Sequence, residues 1–382
     1  MLHITIEMNK YQQIPSPAYV LEEDKLIKNL QLLKHVQDAA GVQIICALKG
    51  FSFHPVFPLV KKYLAGATAS SLHEAKLVFE EMHTKAHTYC PVYVPQEFDE
   101  IQAISSHISF NSLSQYEQYK DKLNATISYG IRVNPGYSEI TTDLYNPASP
   151  NSRLGIPRSL LGDKLPDGIE GIHFHALCEN TSHTLERVLT SFIKLYHPLI
   201  QQAKWVNMGG GHLITRKDYE PEHLIKILKE FKAQYPNLEE IILEPGSAVG
   251  WQTGVLVSTV LDIVPNGDFP TAMLDVSFTC HMPDCLEMPY KPKVWSETET
   301  GKFEYNLGGM SCLAGDFMGT WKFDNELKVG DRIIFEDMIH YTMVKTSTFN
   351  GINLPDIGII KTDGEYEILQ QFGFQDYKKR LG

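Results

Sequence analysis

The sequence predicts an α/β chain in two parts. One is a (β/α)8 barrel over residues 22–250; the other is an antiparallel β domain, of sandwich or barrel type, made from residues 1–21 and 251–382. Three observations predict it. Eight short apolar strand candidates alternate with amphipathic helical stretches across about 200 residues, the rhythm of β/α units. From about residue 252 the texture changes to short alternating runs separated by Gly, Pro and Asn, which suits antiparallel strands. A further strand at 18–21 precedes the first β/α unit, where a barrel has no place for it, so it is assigned to the second domain.

The elements follow in order. Glu22, Glu23 and Asp24 open a helix whose apolar residues Leu26, Ile27, Leu30, Leu33 and Val36 recur near the helical period. The run 42–48 shows no polar alternation, as in a strand buried on both faces of a parallel sheet. Later barrel strands are expected at 67–70, 87–90 with 92–94 close by, 108–111, 127–134, 169–175, 205–208 and 241–244. Helices between them include 72–82, 114–122, 184–196 and 221–235. The second domain is expected to use strands at 255–261, 272–278, 303–307, 332–335, 338–344 and 367–369. A doubly wound open sheet is the structural alternative to the barrel.

Composition narrows the function. The 382 residues suit two domains, and 43% hydrophobic with 21% charged residues is ordinary globular composition. A net charge of −12 without a basic tract excludes nucleic acid as a partner class and is compatible with a cationic small substrate. The start of the chain lacks the apolar core of a signal peptide, and no apolar run reaches the ~18 residues that a membrane span requires. Six cysteines (46, 90, 178, 280, 285 and 312) are scattered without a CxxC pair. Neither a metal site nor a disulfide framework is indicated, and a reduced cytoplasmic protein is expected.

In a barrel, reactive groups stand at the C-terminal ends of the strands. Those positions hold Lys49 after the first strand, Arg132 in the fifth, and His173 and His175 at the end of the sixth. Gly209-Gly210-Gly211 follow the seventh, and Glu244-Pro245-Gly246 end the eighth. An amine capping a doubly buried strand is partly desolvated, which lowers its pKa and makes it the nucleophile that a Schiff-base lysine must be. A solvated loop lysine is the alternative. The triple glycine lacks the GxGxxG spacing of a dinucleotide site, and its backbone is expected to close on a phosphate, with a plain tight turn as the alternative. His175, nearer the loop, is assigned to the site, and His173 is expected to pack facing away from it. Glu244 is expected to hold a ring nitrogen protonated or, failing that, to be a salt-bridge partner.

This ordered set of Lys, His, GGG and EPG resembles the fold-type III pyridoxal-phosphate enzymes, the alanine-racemase-like group of a barrel plus a β domain. The runs Gly309-Met310-Ser311-Cys312-Leu313-Ala314-Gly315-Asp316, His340-Tyr341-Thr342 and Thr348-Phe349-Asn350-Gly351 extend the resemblance over nearly the whole chain, toward the ornithine, arginine and diaminopimelate decarboxylases. His173-Phe174-His175-Ala176-Leu177-Cys178-Glu179 and Cys280-His281-Met282-Pro283-Asp284-Cys285-Leu286-Glu287-Met288-Pro289-Tyr290 look like the carboxynorspermidine/carboxyspermidine decarboxylases in particular.

The resemblance implies pyridoxal 5′-phosphate held covalently by Lys49, with His175 on its ring, Glu244 at its ring nitrogen and Arg132 nearby. Gly209, Gly210, Gly211, Gly246 and Tyr341 are implied at its phosphate. It implies a homodimer with shared sites, in which Cys312 protonates the carbanion in the partner's site. Two departures stand out: Ser247 replaces an Arg of the ornithine-type enzymes, and Leu313 replaces an Asp after the cysteine. Glu179, Asp284 and Asp316 are the acids expected to meet the distant ammonium groups of a carboxylated triamine. The implied reaction is decarboxylation of carboxynorspermidine or carboxyspermidine in polyamine biosynthesis. Other readings are a decarboxylase of diaminopimelate, ornithine or arginine, an amino-acid racemase, and a non-catalytic regulator that binds pyridoxal phosphate.

Overall fold

The computed structural model describes residues 10–265 and 267–382, and the chain forms two compact units. One is Asn29–Val249; the other combines the residues up to Lys28 with Gly250–Gly382. The part of the expected second domain that falls on residues 1–9 lies outside the described residues.

In the second unit the sheet begins with β1 (Ala18–Glu22). The first unit is a closed barrel of β2 (Gln43–Ala47), β3 (Gly66–Ala69), β4 (Ala86–Tyr89), β5 (Ser105–Phe110), β6 (Ser128–Arg132), β7 (Ile169–His173), β8 (Trp205–Asn207) and β9 (Glu240–Leu243). Each strand is parallel to the next, and β2 closes the ring on β9. Helices between the strands start on local signals: Ser71 caps Leu72–Glu81 by accepting from the Glu74 amide at 3.2 Å.

Inside the barrel Trp205 packs with Ile45 and Ile242. Its indole occupies space that two neighbouring strands leave open. A Cβ on Gly171 would meet the ring at 1.9 Å and one on Gly130 would meet it at 2.3 Å. The indole N–H donates to Ser128 Oγ at 2.8 Å, so the large ring is buried without an orphaned donor. The expected strand at 92–94 is instead a loop. Tyr93 turns inward there, and its hydroxyl bonds the Thr88 and Ser109 carbonyls at 3.1 and 3.0 Å.

The second unit adds β10 (Gly254–Val264), β11 (Thr271–Leu274), β12 (Phe303–Gly308), β13 (Phe317–Phe323), β14 (Arg332–Glu336), β15 (Asp356–Ile360) and β16 (Tyr366–Gln370). The strand order is β13-β12-β11-β10-β1-β15-β16, with β14 also on β10. The sheet is mostly antiparallel; β1 with β15 and β11 with β12 pair in parallel, which the alternating sequence pattern alone does not reveal. The expected strand at 338–344 is absent, because Asp337 adopts φ 61° after β14 and the chain turns into the short helix Tyr341–Val344.

Candidate active site

The C-terminal ends of the barrel strands converge on one group of side chains. Lys49 follows β2 in a turn pinned to the loop after β9: the Ala47 amide donates to the Pro245 carbonyl, and a Cβ on Gly50 would meet Gly246 Cα at 3.0 Å. Lys49 is exposed, yet enough protein surrounds the ammonium to lower its pKa. Desolvation is the main cause, Arg132 adds repulsion, and Glu244 opposes both.

Arg132 ends β6 and is buried, with its guanidinium carbon 4.5 Å from the centre of the Tyr89 ring. Glu244 follows β9, where Oε1 accepts from Asn207 Nδ2 at 2.7 Å. Burial raises the Glu244 carboxyl above its usual range, while Asn207 and Thr68 hydrogen bonds and the Lys49 and Arg132 charges pull it back. Burial, reinforced by the charges of Lys49 and Arg132, holds both His173 and His175 well below the ordinary imidazole range. The mouth therefore joins Lys49 and Arg132 to Glu244 and two imidazoles held neutral, with the Glu74 carboxyl close enough to act on Lys49.

His173 corrects the sequence reading. It is packed, but it faces into the barrel: its ring lies edge-on to Tyr89 at 5.2 Å, and Nε2 is 3.9 Å from Glu244 Oε2. Residues two apart on a strand share a face. The residue that turns outward is Phe174, which packs against Phe192 with ring centroids 4.6 Å apart and the planes tilted by 43°.

The triple glycine is also more constrained than the sequence suggests. Gly209 and Gly211 adopt φ of 69° and 83°. A Cβ on Gly209, Gly210 or Gly211 would strike the carbonyl oxygens of Phe174, Glu244 and Leu177 at 2.6, 2.3 and 2.1 Å. Two of the amides expected to face a phosphate are engaged within the protein. The Gly209 N–H donates to Asn207 Oδ1 at 2.9 Å and the Gly210 N–H donates to His175 Nδ1 at 2.8 Å.

The remaining candidates belong to the sheet unit, apart from Glu179, which is exposed in the loop after β7 with φ 54°. Tyr341 begins the short helix after β14, its ring 5.6 Å from Lys345 Nζ. Cys312 is exposed in the loop between β12 and β13, its amide donating to Asn350 Oδ1 at 2.9 Å. Asp316 is engaged within its own unit. It is buried, and its carboxylate accepts from Ser277 Oγ at 3.1 Å and from the Thr279 and Ser311 amides at 2.9 Å each, so it organises the Cys312 loop instead of offering a free charge. Asp284 is buried and paired with Lys345 at 2.6 Å, which neutralises most of its pull on a substrate ammonium.

Sequence reasoning missed Thr68, Tyr89 and Asn207. All three lie at or near strand C-terminal ends, and applying the strand-end rule to β3, β4 and β8 as well would have found them.

The family model described as "Pyridoxal-dependent decarboxylase, C-terminal sheet domain" matches residues 18–339. The chain belongs to the pyridoxal-dependent decarboxylases. The decarboxylase is 48% identical over 99% of its length to a carboxyaminopropylagmatine decarboxylase of Synechocystis sp., covering 98% of it. It is 44% identical over 97% of its length to a carboxynorspermidine/carboxyspermidine decarboxylase of Campylobacter jejuni, covering 99% of that protein. A solved structure of carboxynorspermidine decarboxylase with norspermidine, also from Campylobacter jejuni, superposes with a TM-score of 0.89 at 42% identity, over 96% of this chain and all of that one.

Pyridoxal phosphate is thus the cofactor, and the residues present fit it. Arg132 Nη2 and both ring nitrogens of His173 are buried at the barrel mouth with no hydrogen-bond partner among the described residues. Beside them lie an amine of lowered pKa and a backbone cradle closed to any Cβ.

Proposed function

We propose that the enzyme removes the α-carboxylate of a carboxylated triamine, carboxynorspermidine or carboxyspermidine, releasing CO2 and norspermidine or spermidine. The observation that carries this reading is the full-length match, in sequence and in fold, to the Campylobacter jejuni enzyme whose structure holds norspermidine. One further reading has its own support: the Synechocystis relative points to carboxyaminopropylagmatine, whose far end is a guanidinium.

Bound pyridoxal phosphate supplies the electron sink for the pair left when CO2 departs. In this reading Lys49 holds the cofactor by its amine, which desolvation keeps more readily deprotonated and nucleophilic. Glu244 faces the ring nitrogen and, once ionised, holds a proton there. Asn207 fixes the carboxylate by binding Oε1. His175 covers the ring. Gly209, Gly210, Gly211 and Gly246 line the phosphate position, where the Gly210 bond to His175 would be exchanged on binding, and Tyr341 is assigned as a further phosphate ligand. Arg132, held by Tyr89, keeps the mouth positive for the phosphate and the substrate carboxylate. Cys312 delivers the proton to Cα from the partner subunit of a homodimer. Glu179 binds the far ammonium; Asp284, shared with Lys345, and Asp316, bound to its own loop, are the weaker candidates. The reading places the enzyme in the cytoplasm, with its cysteines free as they are in the structure. No described helix is long and apolar enough to cross a membrane.

Incubating the cofactor-loaded protein with carboxynorspermidine tests the proposal. Stoichiometric CO2 and norspermidine are expected; intact substrate beside bound cofactor would overturn it, in favour of another carboxylated amine if carboxyaminopropylagmatine is decarboxylated in its place.

A further inference from the structure

We infer that the chain carries a transition-metal site between the helices Ser182–Ile200 and Pro221–Gln234, held by His183, Glu186 and His223, for an ion of the Zn2+ class. The ligand atoms of these three residues all lie within 4.8 Å of one another, in the one such group among the described residues. His183 and Glu186 are three apart on one helix and so share a face. His223 comes from the other helix, its ring stacked on that of His183 with centroids 4.0 Å apart. His223 Nε2 stands 3.4 Å from Glu186 Oε2, and His183 Nε2 stands 3.1 Å from Glu220 Oε1. Zinc bonds of about 2.0–2.1 Å in tetrahedral geometry separate neighbouring ligand atoms by roughly 3.3 Å; the His223–Glu186 pair already has that spacing, and His183, within 4.8 Å of both, closes in on the ion by exchanging its Glu220 contact for the metal, with water completing the shell.

The surroundings support ligation over plain ion pairing. His223 Nδ1 is hydrogen-bonded to the buried Ser182 Oγ at 3.0 Å. That bond fixes the ring and leaves Nε2 for a metal, as the outer contacts of ligating histidines do. Two imidazoles with carboxylates suit Zn2+, Cu2+ or Ni2+ and not Mg2+, which prefers all-oxygen sites. No reacting group lies in the cluster, so the ion acts as a clamp. The two helices follow β7 and β8, whose loops carry His175 and Gly209–Gly211. Those loops already meet through the Asn180 N–H and the Gly211 carbonyl at 3.0 Å. A metal would tie them together a second time.

Calorimetric titration of Zn2+ into the cofactor-loaded enzyme, freed of unbound cofactor and with Mg2+ as control, tests this. One Zn2+ per chain is expected, with Mg2+ silent. Zn2+ should raise the melting temperature of the wild type, and binding should weaken by roughly tenfold or more in His183→Gln and in His223→Gln. No Zn2+ binding, or binding undiminished in both variants, would overturn the site. Anomalous diffraction from Zn2+-soaked wild-type crystals gives a reading that does not depend on the variants folding. A peak between His183 and His223 is expected, and peaks only at cysteines would refute the assignment.

Discussion

Asn207 donates from Nδ2 to Glu244 Oε1 at 2.7 Å while its Oδ1 accepts the Gly209 N–H at 2.9 Å. One side chain thus joins the carboxylate at the proposed ring nitrogen to the first glycine of the proposed phosphate loop. Its removal has a defined sign. The Asn207 bond lowers the Glu244 pKa against desolvation, so Asn207→Ala should raise it further. If Glu244 must be ionised, the acidic limb of the kcat/KM profile moves to higher pH. At its optimum the variant should lose about 10- to 100-fold, the worth of a hydrogen bond to a charged group of about 1.5–3 kcal/mol. A smaller rate with an unmoved pH profile would reduce Asn207 to a packing role.

Lys49 pairs activity with a cost to the fold. Its pKa is lowered in the folded state, so the charged amine is disfavoured there, and stability falls as pH drops below its unfolded value of about 10.4. Lys49→Met should abolish borohydride-trapped cofactor, seen by mass spectrometry, while raising the melting temperature of the cofactor-free protein at neutral pH. Trapping at another lysine would displace Lys49 from its role.

Shared sites predict complementation. Lys49→Ala and Cys312→Ala should each be nearly inactive. Mixed and reassorted, they should recover about a quarter of wild-type activity, since half of the dimers of a two-fold assembly would be mixed and each would hold one intact site. No recovery, with subunit exchange verified, would place both residues in one chain's site or remove Cys312 from the chemistry.

Glu179→Gln should raise KM for the triamine by about tenfold with little change in kcat, because a charge-assisted contact to a remote ammonium acts on binding. An equal loss in kcat would instead tie the residue to the reacting centre.

Gly171→Ala forces a Cβ against the Trp205 ring at 1.9 Å and should destabilise the barrel by about 1–3 kcal/mol. Trp205→Leu in the same chain should recover part of the loss; a double variant as unstable as the sum of the singles would show that the two do not share that space.

The barrel was legible because each β/α unit carries its own local signal. Apolar runs such as Ile44-Ile45-Cys46 became β2, and the 3.6-residue periodicity marked the helices. Lys49, Arg132, His175 and Glu244 were legible through their places at strand ends. What stayed hidden depends on partners distant in the chain. Nothing near Asp316 announces that Ser277, Thr279 and Ser311 take up its carboxylate, and nothing near Asp284 announces Lys345. The parallel pairing of β1 with β15 joins segments more than 300 residues apart, beyond the reach of any alternating pattern. His173 was the exception: period-two geometry would have put it beside His175.

Comparing kcat/KM of the cofactor-loaded enzyme across carboxynorspermidine, carboxyspermidine, carboxyaminopropylagmatine, diaminopimelate, ornithine and arginine tests the central claim most directly. The account predicts strong preference for the carboxylated triamines, with carboxynorspermidine and carboxyspermidine separated by no more than the roughly 1–3 kcal/mol that one methylene provides. Preference for diaminopimelate, ornithine or arginine would contradict it, and dominance of carboxyaminopropylagmatine would transfer the far subsite from an ammonium to a guanidinium.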